Sequence, residues 1–155
     1  MNSFPLTPAR PLLPVLFGTA RAFVGFPFHR AHLSLRETDF QQGKDMIEET
    51  VGKIEQKIRQ ANSISDPSRA ELLELFATLK SEVDQLSETH GEEARSITGF
   101  TELSAHEATR KDKNTKLLEL SLEGLATSVS GFEKSHPKLV EIVNRICITL
   151  SNLGV

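Results

Sequence analysis

Residues 46–61 read MIEETVGKIEQKIRQA, and their spacing decides the fold class. Apolar side chains recur in steps of four and three residues, at Ile47, Val51, Ile54, Ile58 and Ala61. This average period of about 3.5 residues places them on one face of an α-helix and resembles a coiled-coil seam. A helix this short is not stable alone in water, so we expect it to pack against another helix.

The same pattern returns after a short turn. Ser65 or Asp66 can cap a second helix, and Pro67 suits its first turn, where a missing N–H costs nothing. This helix should run to about Ser87, with apolar positions at Leu72, Leu75, Phe76, Leu79, Val83 and Leu86. Two striped helices joined by a short loop predict an antiparallel hairpin.

Residues 88–108 are less regular. His90 and Gly91 indicate the end of the second helix, while Ile97, Phe100 and Leu103 are thinly spaced. Gly99 weakens a helix here by about 1 kcal/mol relative to alanine. We expect a helix in this segment, and the pattern leaves open whether it continues from the second one.

Two further helices are predicted after a polar turn over residues 110–114. The first has a broad apolar face, made of Leu117, Leu118, Leu120, Leu122, Leu125, Val129 and Phe132. Ser135, His136 and Pro137 then form a start signal for the last helix, and Gly154 lies where that helix should stop. Its apolar positions are Leu139, Val140, Val143, Ile146, Cys147, Leu150 and Leu153. We interpret Asn144 as facing water, the alternative being a buried residue that fixes the helix register.

These patterns predict an all-α domain over residues 44–155, a small bundle of antiparallel helical hairpins with coiled-coil-like packing. The side chains predicted to pack the helices together are Ile47, Val51, Ile54, Ile58, Leu72, Phe76, Leu79, Val83, Leu86, Leu125, Val129, Phe132, Val143, Ile146 and Leu150.

Residues 1–43 differ in composition. Five prolines interrupt them, and residues 1–36 contain four arginines but no lysine or acidic residue. We predict an irregular tail with three interpretations: a targeting segment, a disordered tail or membrane tether using residues 11–28, or a translated upstream region with the true start at Met46. The third explains the change of composition without giving the tail a function. Residues 11–28 are too broken for a membrane span.

Composition argues against several classes of function. The net charge of −3 and the absence of aromatic residues among Arg110, Lys111, Lys113 and Lys116 argue against nucleic-acid binding. Cys147 is the one cysteine, so no intramolecular disulfide or cysteine zinc site is possible, and a reducing compartment such as the cytoplasm is the simplest setting. No nucleophile elbow, Walker loop or dinucleotide fingerprint occurs, so we expect neither catalysis nor a cofactor.

Three histidines are the candidates for chemistry. His106 follows Glu102 by four residues, so the two can share a helix face and hold a metal if a second such pair faces them. No second pair occurs in the sequence, and a local hydrogen bond is the simpler interpretation. His136 could contact a ligand beside a helix start, but a structural role is expected for it and for His90.

Two stretches resemble a known family. Residues 96–108 read SITGFTELSAHEA, and residues 120–155 contain LEGL, GFEKSHP, VNRI and LSNLGV. Together they are similar to a family of small bacterial proteins catalogued as a domain of unknown function. The resemblance spans about Met46 to Val155 and implies a chain start near Met46, but it implies no reaction, cofactor or partner.

The function expected from the sequence is that of a non-enzymatic helical module that self-associates or binds a protein partner. Apolar stripes on short hairpins often leave surface that another chain can cover. Two alternatives remain open: a metal- or small-ligand-binding helical protein that uses Glu102 and His106, and a membrane-associated protein tethered by residues 11–28.

Overall fold

The computed structural model describes residues 31–154, and all regular structure in that range is helical. Its five helices are α1 (Ala31–Gln60), α2 (Asp66–Ser87), α3 (Gly91–Thr109), α4 (Thr115–Ser128) and α5 (Pro137–Gly154). The predicted all-α class is therefore confirmed. The interpretations of residues 11–28 concern a segment outside the described range.

Helix α1 begins at Ala31, well before the predicted start near Met46. The irregular tail predicted over residues 1–43 is thus helical over residues 31–43. Pro27 is the last of the N-terminal prolines, so residues 31–45 contain no residue that breaks a helix outright. A helix fixed by its packed stripe extends at little cost through such residues, because propagation is far easier than nucleation.

The junction of α1 and α2 has the predicted capping. Ser65 is the N-cap, its Oγ accepts a hydrogen bond from the backbone N–H of Ser68, and Pro67 lies in the first turn. Arg69 closes the junction from the α2 side. Its guanidinium donates to the backbone oxygens of Ala61 and Ile64 at 2.9 and 3.1 Å. Short connections of this kind reverse the chain, so α1 and α2 form the expected hairpin.

Helix α3 lies at the centre of the bundle and contacts all four other helices. It is separate from α2, because the chain turns at His90, whose φ of −135° and ψ of 60° are not helical. The buried side chains of α3 are mostly small or polar: Ala94, Ile97, Thr98, Thr101, Ser104, Ala105, Glu107 and Ala108. Small side chains allow neighbouring helices to approach closely, which suits a central helix.

The hydrophobic core draws on every helix. All the predicted packing residues lie in it except Phe132, which is half-buried and packs against it. The stripes of α1 and α2 are therefore covered by the chain's own helices. The core also contains Ile64, Leu75, Leu118, Leu139 and Ile142, together with the small residues of α3.

Helices α4 and α5 complete the bundle. Asn114 caps α4 by accepting a hydrogen bond from the backbone N–H of Leu117 at 3.0 Å. The connection to α5 passes through Gly131, whose φ of +96° favours glycine. Helix α5 starts at Pro137 and ends at Gly154, as predicted, and Asn144 is exposed, which agrees with the interpretation that it faces water.

Two hydroxyls on the buried face of α3 lead to a matched prediction. Thr101 Oγ1 donates to the backbone oxygen of Ile97 at 2.7 Å, whereas Ser104 Oγ is buried and has no hydrogen-bond partner within residues 31–154. Ser104→Ala should leave the free energy of unfolding unchanged or raise it by up to about 1 kcal/mol, because it removes an unsatisfied polar atom. Thr101→Val should lower it by about 1 kcal/mol.

Urea denaturation of both variants measures the two effects. If Ser104→Ala destabilised the fold as much as Thr101→Val, the hydroxyl of Ser104 would be making a contribution that its surroundings do not explain.

Candidate functional site

Glu102 and His106 lie on the side of α3 that faces α1. Lys57 of α1 reaches Glu102, with Nζ 3.8 Å from Oε1. His106 is half exposed, and its Nε2 lies 3.9 Å from Oε1 of the neighbouring Glu107. A shallow groove between the helices is lined by Lys57, Glu102, Leu103 and His106 together with Gly99.

The groups around Glu102 differ from those of a metal site, because one of them carries a positive charge. The Glu102 carboxylate faces an ammonium group instead of a second histidine or carboxylate. Residues 31–154 contain no group of three or more histidine, cysteine or acidic side chains placed to hold a metal ion. The metal-binding alternative therefore gains no support from this part of the chain.

His90 and His136 lie together, although they are distant in sequence. Their ring centroids are 6.5 Å apart, and the edge of each ring also meets Phe132, at 5.3 Å for His90 and 5.7 Å for His136. Nδ1 of His90 shares a 2.7 Å hydrogen bond with Thr89 Oγ1. Such edge-to-face contacts join the α2–α3 turn to the α4–α5 connection. A structural role explains them, and no described group points to a ligand at His136.

Cys147 lies between α4 and α5. Its Sγ is 3.8 Å from the backbone oxygen of Leu122, and burial raises the pKa of the thiol to about 11. Since the thiolate is the reactive form, this environment makes the cysteine a poor nucleophile. The thiol acts as a small apolar group at the edge of the core.

The raised pKa predicts slow alkylation of Cys147. At pH 8 about one thiol in a thousand should be ionised in the folded protein, against a substantial fraction for an unfolded chain with a thiol pKa of about 8.5. Iodoacetamide labelling followed by mass spectrometry should therefore be slow at pH 8, accelerate about tenfold per pH unit up to pH 10, and be fast in urea. Equal rates with and without urea at pH 8 would contradict this.

Among the residues whose side chains the structure describes, four of the six large apolar side chains that are exposed lie on α3 and α4. We call this group the α3–α4 face and define it by Phe100, Leu103, Leu117 and Leu120, which are 37%, 40%, 38% and 49% exposed. Phe100 and Leu120 line a shared groove with Gly124, Ser96 and Thr127. Exposed apolar residues on two helices in contact, with two of them in one groove, are typical of interaction surfaces.

Gly124 lets the ring of Phe100 approach α4 closely. A Cβ added at Gly124 would overlap the ring of Phe100, so only glycine permits this approach without a shift. The sequence pattern places Phe100 among the apolar positions of its helix. It places Leu117 and Leu120 on the broad apolar face of the next helix. Only part of that face is covered, because Leu118 and Leu125 point into the core while Leu117 and Leu120 lie on the outer side of α4.

Two other large apolar residues of the described range are exposed outside this face. Ile148 of α5 is 62% exposed beside Cys147 and Asn152, and Met46 of α1 is 52% exposed. None of the helices within residues 31–154 has the length and apolar content needed to cross a membrane.

One comparison with known proteins identifies a relationship. A family model described as "Domain of unknown function (DUF4404)" matches residues 75–155, which is just over half of the chain and extends from within α2 through α5. The matched range lies inside the residues 46–155 whose motifs resemble a domain of unknown function, and it confirms that resemblance. Neither the curated proteins nor the solved structures give a match to the chain.

Proposed function

The chain belongs to the DUF4404 family, and we propose that it works as a non-enzymatic helical interaction module whose α3–α4 face binds a protein. The observation that supports this proposal is the exposure of Phe100, Leu103, Leu117 and Leu120 on two adjacent helices. Burying an apolar face of this kind against another protein is the main source of binding free energy in most protein–protein association.

The stripes of α1 and α2 do not support the proposal. Their pattern predicted surface for another chain, but all their residues except the partly buried Ala61 are buried inside the bundle. Interaction through the α3–α4 face replaces that expectation with a different set of side chains.

Leu120→Glu tests the proposal, because Leu120 is the most exposed member of the face and a charge there should prevent its burial. Ile148→Glu is the matched control, since Ile148 is an exposed apolar residue outside the face. Tagged full-length protein should be captured from its own cells with quantitative mass spectrometry. Proteins captured with the wild type, which can include further copies of the chain, should be absent from the Leu120→Glu capture and present in the Ile148→Glu capture. Identical capture by both variants would contradict the proposal.

A reducing, cytoplasmic location is the setting we propose for this activity. It is supported by the lone, half-buried Cys147, which has no second cysteine to pair with in the chain. Fluorescence microscopy of a tagged full-length chain, with fractionation, measures it, and recovery in the membrane fraction would instead favour the tether at residues 11–28.

A further inference from the structure

We propose that the α3–α4 face binds a second copy of this chain, with α4 packed antiparallel against α4 of the copy around a two-fold axis near Leu120. The inference rests on the proposed function and specifies its partner. Two features of α4, the sequence of its outer stripe and the placement of its charges, argue for this partner and this orientation.

The outer stripe of α4 places exposed leucines where two copies would meet. Leu117, Leu120, Gly124 and Thr127 follow one another in steps of three, four and three residues, so they lie along one side of the helix. In an antiparallel pair centred on Leu120, the two Leu120 side chains meet at the axis, and Leu117 of each copy lies close to Gly124 of the other, where the ring of Phe100 covers the glycine. An apolar side chain therefore meets apolar surface at the axis and at both ends of the contact, because the ring of Phe100 is 37% exposed where it covers Gly124.

The charges beside this stripe are complementary in the same register. Lys116 and Glu123 flank it on one edge, and both are exposed. Antiparallel packing about Leu120 places Lys116 of each copy opposite Glu123 of the other, forming two symmetric pairs. Parallel two-fold packing would put this edge of the two helices on opposite sides of the contact, so neither pair could form.

Both charged groups are available for such pairs. Glu123 has no cation partner among the described residues, and Lys116 contacts its own Glu119 at 3.5 Å in a pair whose side chains are 74% and 64% exposed. Exposed pairs of this kind contribute little to stability, so exchanging Glu119 for Glu123 of the copy costs little. One patch that meets itself is the isologous contact found in two-fold dimers.

Sedimentation velocity of the full-length chain measures the association over about 1–300 µM, the range in which a small interface dissociates. We expect a reversible monomer–dimer equilibrium. Leu120→Glu should raise the Kd at least about a hundredfold, since it buries two like charges at the axis. Ile148→Glu should leave the Kd unchanged, and circular dichroism should show native helix content in both variants.

A charge exchange tests the orientation. Lys116→Glu and Glu123→Lys should each raise the Kd about tenfold, because each turns two attractive pairs into repulsive ones. The double variant Lys116→Glu/Glu123→Lys should restore the wild-type Kd. A dimer that Leu120→Glu dissociates but that the double variant does not restore would overturn the antiparallel register.

A monomer throughout the concentration range would overturn the second copy as partner. The capture experiment tests the proposed function separately. The proposed function is supported if Leu120→Glu fails to capture proteins that Ile148→Glu captures, and it is contradicted if the two variants capture the same set.

Discussion

Phe76→Ala should lower the free energy of unfolding by about 3–5 kcal/mol, the largest effect we expect from a single truncation in this chain. Phe76 lies in the middle of α2, is 0% exposed, and is the largest side chain that is fully buried among the described residues. Truncation removes apolar contacts on every side and leaves a cavity that the surrounding helices fill only in part. Chemical denaturation monitored by helical circular dichroism measures the loss.

Phe100→Ala is the matched control, because it removes the same atoms from a ring that is 37% exposed and rests on Gly124. We expect a loss of about 1 kcal/mol, since more than a third of the residue is already in water and its removal leaves a surface groove instead of a closed cavity. If the two variants lost similar amounts of unfolding free energy, Phe76 and Phe100 would not differ in burial in solution.

Phe76 also illustrates what the sequence predicts well. Its helix has large apolar residues every three or four positions, so periodicity alone identifies the side that is buried. Caps and turns at Ser65, Pro67, Pro137 and Gly154 depend on chemistry within a few residues and were predicted correctly for the same reason.

Helix α3 shows why periodicity fails elsewhere. Its buried face is made largely of alanine, serine and threonine, which have no strong apolar signal, while two of its three large apolar residues, Phe100 and Leu103, are exposed. A central helix needs small residues because four neighbours surround it. The helix that contacts all the others therefore has the least regular spacing of apolar residues.

The surface features depend on contacts between distant segments. Phe100 and Gly124 come from different helices, and so do His90 and His136, so no local pattern places them together. In the sequence pattern the two histidines are unconnected, and Leu117 and Leu120 belong to one broad apolar face. Only the packing of α4 over α3 and α5 determines which of its leucines stay outside.

Whereas Leu117 and Leu120 are apolar side chains that stay exposed, Glu107 of α3 is a charged side chain that is buried. Its side chain is 3% exposed, and its Oε2 accepts a hydrogen bond from Nη1 of Arg110 at 2.9 Å. A buried carboxylate that loses its cation keeps the cost of leaving water without the compensating attraction. The stability of this end of α3 should therefore depend on Arg110, which begins the connection to α4.

Arg110→Ala should lower the free energy of unfolding by about 2 kcal/mol. This is less than the 3–5 kcal/mol typical of breaking a fully buried pair, because 36% of the Arg110 side chain is exposed and water can partly solvate the carboxylate it leaves. Glu107→Gln should cost less, about 1 kcal/mol, since it keeps the shape of the side chain and leaves Arg110 in contact with solvent.

The double variant Arg110→Ala/Glu107→Gln should be more stable than Arg110→Ala alone, because it no longer buries an unpaired charge. Arg145→Ala is the control: it removes another arginine from an ion pair, with Glu71, but both side chains there are about half exposed, so we expect a change below about 0.5 kcal/mol. Urea denaturation of the four proteins against wild type gives the coupling between Arg110 and Glu107 directly. If the double variant were less stable than Arg110→Ala, Arg110 would be stabilising the α3–α4 connection through its packing and not through the buried carboxylate.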